Sequence, residues 1–257
     1  MNSQLQNYKF KSIYRFLSII QDSVDCQFDF WNFNADLFVN SALKFNKISL
    51  LHIYVSSTLA CYFDSDFREN GDLKDSVDIL WWIDLMHEYH VEPDDLCFDD
   101  EEESFAEGWH NRNNNAFDNL FFALADEIVH ILFINKSFLN KFNLLVARVI
   151  KDTDQSYAGI ITWPENSRNT DGTIKRSSIP EWVKRAVFHR DKGRCVFCNK
   201  DLTDLVSIYS NNNYDHIVPL KQFGANDPCN IQLTCEKCNK SKGDKHLIPD
   251  YNYQSWW

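Results

Sequence analysis

Cys195-Val-Phe-Cys198, Tyr214-Asp215-His216-Ile217-Val218-Pro219-Leu220, and Asn230-Ile231-Gln232-Leu233-Thr234-Cys235-Glu236-Lys237-Cys238-Asn239-Lys240-Ser241-Lys242-Gly243 are the stretches on which the reading of this chain turns. They contain two C-x2-C pairs, separated by residues 199–234. One C-x2-C turn presents two thiolates to an ion at about 2.3 Å, and Zn2+ takes four such ligands tetrahedrally. Cys195, Cys198, Cys235 and Cys238 are therefore expected to hold one structural Zn2+, in a closed site with no position for substrate. Four unrelated buried thiols would not need to come as two matched pairs. The other cysteines, Cys26, Cys61, Cys97 and Cys229, lack ligand spacing and are expected as core thiols. Cys229 lies close enough to the second pair to imitate a ligand.

The residues between and after the pairs carry chemistry of another kind. Phosphodiester hydrolysis needs a base for water and a cation for the charge that builds on phosphate and leaving oxygen. His216 suits the first role, with an ordinary imidazole pKa near 6.5. Asp215 and Asn239 offer hard oxygens suited to Mg2+ or Mn2+. Asn239 follows Cys238 directly, so the zinc frame would also position the second ion. A lone His216 would read as a hydrogen-bonded strand histidine; its neighbours change the reading.

Taken in order, these motifs resemble the HNH (ββα-metal) endonuclease family, in its four-cysteine branch. That family shows Asp-His-Ile-x-Pro, a glycine-containing loop, an Asn before a short strand, and Cys-x2-Cys followed by His or Asn and Lys-Gly. The resemblance covers about residues 178–246 and leaves 1–165 untouched. It implies His216 as general base, Asp215 and Asn239 as ligands of a catalytic Mg2+ or Mn2+, and Asn230 as the side chain bracing the loop that holds the histidine. It implies DNA as substrate, expected as duplex. Here the third signature position is Asn239 rather than His, and the loop reads Phe223-Gly224-Ala225 where the family has Gly-Gly. Adjacent strand residues face opposite ways, so Asp215 and His216 can serve one phosphate only from a twisted strand or a strand end.

Lys240, Lys242, Lys245 and Arg194, with Lys184, Arg185 and Arg190, are expected around the site as sequence-independent phosphate contacts, or else as a solvated basic face. The formal net charge of −11 does not exclude this, because charge is unevenly placed. Residues 1–170 hold 13 Lys and Arg against 27 Asp and Glu, while residues 171–257 hold 13 against 10. Exposed charges are screened beyond about 8–10 Å at cellular salt, so an acidic body can carry a basic module.

Further out, Ser178, Pro180 and Glu181 read as a capping box that starts a helix, which Gly193 ends. The polar stretch 152–178 reads as a connection. Helical apolar spacing covers Tyr8–Ile20, Ala35–Phe63, Leu73–Tyr89 and Ala116–Ile150, the last broken near Asn135 or Asn140. Ile48–Phe63 has no charged residue but is too short for a bilayer span, and reads as a buried helix. Glu92–Glu107, with nine carboxylates, reads as an exposed loop. Trp81, Trp82, Phe121 and Phe122 read as core, Trp256-Trp257 as a tail packed on the small domain, and His87/His90 as wrongly spaced for a metal.

The expected fold is α+β: an acidic, mainly helical domain (1–165) serving a partner or sensing role, then a small zinc-stapled ββα-metal domain (166–257). The chain is expected to be cytoplasmic, without a membrane span or secretory leader. By analogy with other appended nuclease modules, a bacterial or phage defence role and a protein partner are expected. Two alternatives stay open: a zinc module that binds nucleic acid without cutting it, and a nuclease acting on RNA.

Overall fold

The computed structural model describes residues 8, 10, 12–27, 33–69, 76–95, 105–203 and 213–249. The expected segments at Cys97, most of the acidic block (96–104) and Trp256-Trp257 lie outside them. The fold is α+β, mostly helical with one small sheet. Its elements are α1 (Ile13–Asp25), α2 (Ala35–Leu43), α3 (Leu50–Glu69), α4 (Ser76–Glu88), α5 (Phe105–Arg112), α6 (Asn114–Leu132), α7 (Lys136–Lys151), α8 (Thr153–Ser156), α9 (Glu181–Arg190), β1 (Tyr214–His216), β2 (Ile231–Leu233) and α10 (Glu236–Lys242). None of the described helices is long and apolar enough to cross a membrane.

The residues fall into two compact units, one drawn from Met1–Ser23, Phe30–Asn32 and His52–His130, the other from Val24–Asp29, Phe33–Leu51 and Ile131–Trp257. The first is built on aromatic packing. Ile13, Phe16 and Ile20 recur at helical spacing on α1 and are fully buried. Phe63 and Trp82 meet edge to face with centroids 4.7 Å apart, and Phe117 joins Trp82 at 5.2 Å in the same manner. Of the four aromatics expected in the core, Trp82 and Phe121 are buried while Trp81 and Phe122 are partly exposed. The near end of the acidic block is tied down: Asp95 accepts from Arg112 Nε at 2.9 Å, and Asp94 accepts from Ala116 N at 3.0 Å.

Two helix boundaries differ from the expected ones for identifiable reasons. Ala35–Phe63 is two helices, because Lys44 turns extended and Ser41 Oγ donates to Ile48 O at 2.9 Å, closing the connection. Ser178 is not the N-cap of α9. Proline disfavours helical backbone in the residue before it, so the helix begins after Pro180, whose own backbone is extended. By contrast, the break between α6 and α7 falls at Asn135, whose Oδ1 caps Phe138 N at 3.1 Å.

The second unit reaches further back along the chain than the 166–257 stretch that composition sets apart. Two antiparallel strands of three residues pair Tyr214 with Leu233, Asp215 with Gln232 and His216 with Ile231. Such short strands bury little by themselves. Their core of Val183, Val187, Tyr214, Ile231, Leu233 and Cys235 is completed by Phe45 and Phe133. Asn143 of α7 donates to Cys229 O at 2.9 Å from a buried position. Arg190 and Asp191 form a buried ion pair at 2.9 Å that clamps α9 to β2, with Arg190 Nη2 donating to Ile231 O and Asp191 Oδ2 accepting from Leu233 N. Arg190 and Lys184 are therefore interior residues rather than phosphate contacts.

Candidate active site and zinc frame

The four cysteine sulfurs lie within 4.8 Å of one another, the cluster of potential metal ligands found among the described residues. Cys198 Sγ and Cys235 Sγ are 3.8 Å apart. A ZnS4 tetrahedron with 2.3 Å bonds has edges of about 3.8 Å, so the quartet fits Zn2+. The four are free thiols, without a disulfide among them. The first pair is closed by Asn199 in left-handed backbone and by Cys195 N donating to Lys200 O. Arg194 belongs to that closure, donating to Asn199 O and pairing with Asp201 at 3.2 Å. In the second pair Cys235 caps α10, its Sγ accepting from Cys238 N at 3.4 Å. Cys229 takes no part: it is buried, with its Sγ 3.7 Å from Ser49 Oγ.

β1 runs into this frame and ends at His216. Tyr214 and His216 occupy one face and Asp215 the other, as strand alternation requires. The following loop is held by Asn230, which is fully buried. Its Nδ2 donates to Val218 O at 3.1 Å and Ala225 O at 2.9 Å, while its Oδ1 accepts from Val218 N at 2.9 Å. Phe223 stands in left-handed backbone at φ 64°. At Gly224 a Cβ would fall 2.0 Å from Val218 O, so only glycine fits there. α10 carries Asn239, partly exposed, one residue past Cys238.

Residues 195–245 match the HNH endonuclease family model. No curated protein and no solved structure matches the chain. The HNH segment makes nucleic acid the expected ligand, either as a nuclease substrate or as a bound partner. Within it, Asp215 and Asn239 supply one carboxylate and one amide oxygen, both partly exposed. Mg2+ and Mn2+ take one or two carboxylates and complete their shell with water and phosphate, so these donors fit such an ion.

Two site residues of the HNH segment are placed differently from expectation. Lys242 is not a surface phosphate contact. Its side chain is fully buried, and Nζ lies 2.7 Å from Asp215 Oδ2 and donates to His216 O at 2.8 Å. Lys240 and Lys245 remain exposed, Lys240 pairing with Glu236. His216 is only 1% exposed, and neither ring nitrogen has a partner of hydrogen-bonding geometry. Burial first, then the Arg176 and Lys242 cations, push its pKa down to about 3. The nearby Asn226 amide works the other way, but its own bonds go to Leu43 O, Lys175 O and Ser177 N. A base so weakened is mismatched to water at neutral pH. The described state is thus a covered one.

Asn226 and Asp227 are the site residues that pattern reading passed over. Beyond its side-chain bonds, Asn226 N donates to Ala42 O at 2.9 Å. Asp227 is fully buried, its Oδ2 accepting from Leu50 N and its Oδ1 from Cys229 N, each at 2.8 Å. Together they rivet the histidine-bearing loop to residues 42–50 and 175–177. Asn-Asp-Pro at 226–228 is a turn signal, but nothing local marks partners so distant.

Burial of His216 predicts an acid sensitivity. In the unfolded chain imidazole protonates near 6.5, and in the fold near 3. Between those values the unfolded state binds the extra proton, so stability falls as pH drops through this window. Asp227, pushed up to about 6 by burial, acts oppositely between pH 3.8 and 6. The melting temperature of His216→Asn should therefore fall less between pH 7 and pH 5 than that of the wild type. Equal falls would contradict a buried neutral imidazole.

Proposed function

We propose that this chain is a zinc-framed HNH endonuclease that hydrolyses DNA phosphodiester bonds, using His216 as the base and Asp215 with Asn239 as seats for Mg2+ or Mn2+. What supports the reading is one juxtaposition: Asp215 and His216 end β1 beside an Asn230-braced loop, and α10 brings Asn239 next to zinc ligand Cys238. When bound, the divalent ion offsets charge on the phosphate and leaving oxygen. The chain's own residues do the rest. Exposed Lys240 and Lys245 contact backbone phosphates, which positions without reading sequence. His216 accepts a proton from water at a ring nitrogen once the ring is uncovered, and Asn230 keeps it on the strand end. Engagement of DNA must therefore open the neighbourhood of Arg176 and Asn226. The acidic unit serves a sensing or partner role, in the defence of a cell or phage against foreign DNA, by analogy with other fused nuclease modules. That work is cytoplasmic.

A second reading is favoured by the covered histidine: a module that binds nucleic acid without cutting. Supercoiled plasmid with Mg2+ or Mn2+ separates the two. The wild type should nick or linearise it, and His216→Ala, with its zinc retained, should be slower by about 100-fold or more. Salt-dependent binding with no cleavage under any divalent ion would establish the binding module instead. Cleavage of RNA insensitive to EDTA would move the substrate to RNA. Undiminished cleavage by His216→Ala would remove it as the base.

A further inference from the structure

Lys242 has no counterpart in the roles assigned above. It lies in the last turn of α10, with its side chain wholly removed from solvent. A buried ammonium persists only where fixed acceptors meet it. Here they are Asp215 Oδ2 at 2.7 Å and His216 O at 2.8 Å, the two neighbouring residues on which the nuclease reading rests. The other described contact of Asp215, from Gln232 Nε2 at 3.4 Å, falls on the same Oδ2. The charge of the one carboxylate among the proposed metal ligands is thus already matched by a resident cation. A divalent ion approaching that carboxylate meets the ammonium a few ångströms away, where repulsion is weakly screened.

We infer that Lys242 is a built-in counter-cation that holds Asp215 in place and keeps divalent-metal affinity low until a nucleic-acid phosphate supplies further negative charge. The inference rests on the reading of Asp215 as a metal ligand. It makes metal loading and substrate binding one coupled event. Lys242 acts through Asp215 and is a positioning residue; it touches no reacting atom.

The test is Mn2+ titration followed by electron paramagnetic resonance on the full-length, zinc-loaded protein without DNA. Lys242→Met and Lys242→Gln remove the charge at near-constant length. Each should bind Mn2+ roughly tenfold more tightly than the wild type or better, and adding Asp215→Asn should abolish the gain. If either variant keeps its zinc and helix content yet binds Mn2+ within about twofold of the wild type, the inference is overturned. If neither folds, the side-chain ammonium resonance of Lys242 in the wild type decides it: Mg2+ should shift that signal, and an unmoved signal at saturation overturns the inference. No turnover enters these readouts. An inactive wild type whose variants gain Mn2+ affinity would sink the nuclease reading alone, and an active wild type without that gain would sink this inference alone.

Discussion

Cys235→Ser will lose its zinc, and the second unit will lose its β1–β2–α10 arrangement. Cys235 stands at three junctions at once. It is one of four sulfurs within 4.8 Å, it caps α10, and it belongs to the core with Val183, Tyr214 and Leu233. Strands of three residues contribute little cross-strand stabilisation, so a Zn2+ held by the quartet would supply much of what fixes their position. Structural zinc contributes about 10–16 kcal/mol in small zinc-dependent folds. Here α7 and the Arg190–Asp191 clamp share the task, and a loss of about 4 kcal/mol or more is expected, near 10 °C in Tm for a chain of this size. Metal analysis and thermal unfolding measure it, and prolonged chelation of the wild type should reproduce it. A variant that kept both its zinc and its Tm would show that the quartet is not a metal site.

Gly224→Ala will be nearly as damaging, for a different reason. Gly224 does not use left-handed backbone; its methyl would land 2.0 Å from Val218 O and 3.0 Å from Asn230 Nδ2. Backbone at Val218 would have to shift, breaking bonds that Asn230 makes. Asn230→Ala removes the same bonds directly and leaves Val218 N–H, Val218 C=O and Ala225 C=O without their side-chain partner. Each buried group left unsatisfied costs about 1–3 kcal/mol, so either variant should lose at least about 3 kcal/mol. Gly243→Ala is the informative control. Gly243 stands at φ 53° and ψ −130°, backbone that L side chains rarely adopt, with open space around it, so the substitution isolates backbone strain without a clash and should cost about 1–3 kcal/mol. Denaturant unfolding of the three variants checks the ranking. Equal small losses at Gly224 and Gly243 would mean that the loop yields.

What could be read from the sequence was what depends on short spacing. Two C-x2-C pairs predict a tetrahedral cluster because the turn geometry is local. Asn135 marks a helix break because an Asn cap acts within three residues. Asp215-His216 at a strand end follows from alternation and the proline three residues on. What escaped depends on long-range partners. Lys242 looked like one more basic surface residue because nothing near it reveals that Asp215 lies against its ammonium. His216 looked like an open base because its cover comes from the neighbourhood of Arg176 and Asn226. The stretch at 44–49 looked helical because apolar spacing continues through it, while the turn is fixed by Ser41 reaching Ile48 O.

The attachment of Asn226 and Asp227 to Leu43 and Leu50 also has a consequence in time. These contacts join residues 183 and 177 positions apart. At about 5–20 residues per second on the ribosome, the earlier partners wait roughly 10–35 s for the later ones to be made. Contacts of such separation also slow folding once synthesis has passed them. A nascent chain therefore cannot lock the loop that follows His216 onto residues 43–50 until Asp227 has emerged.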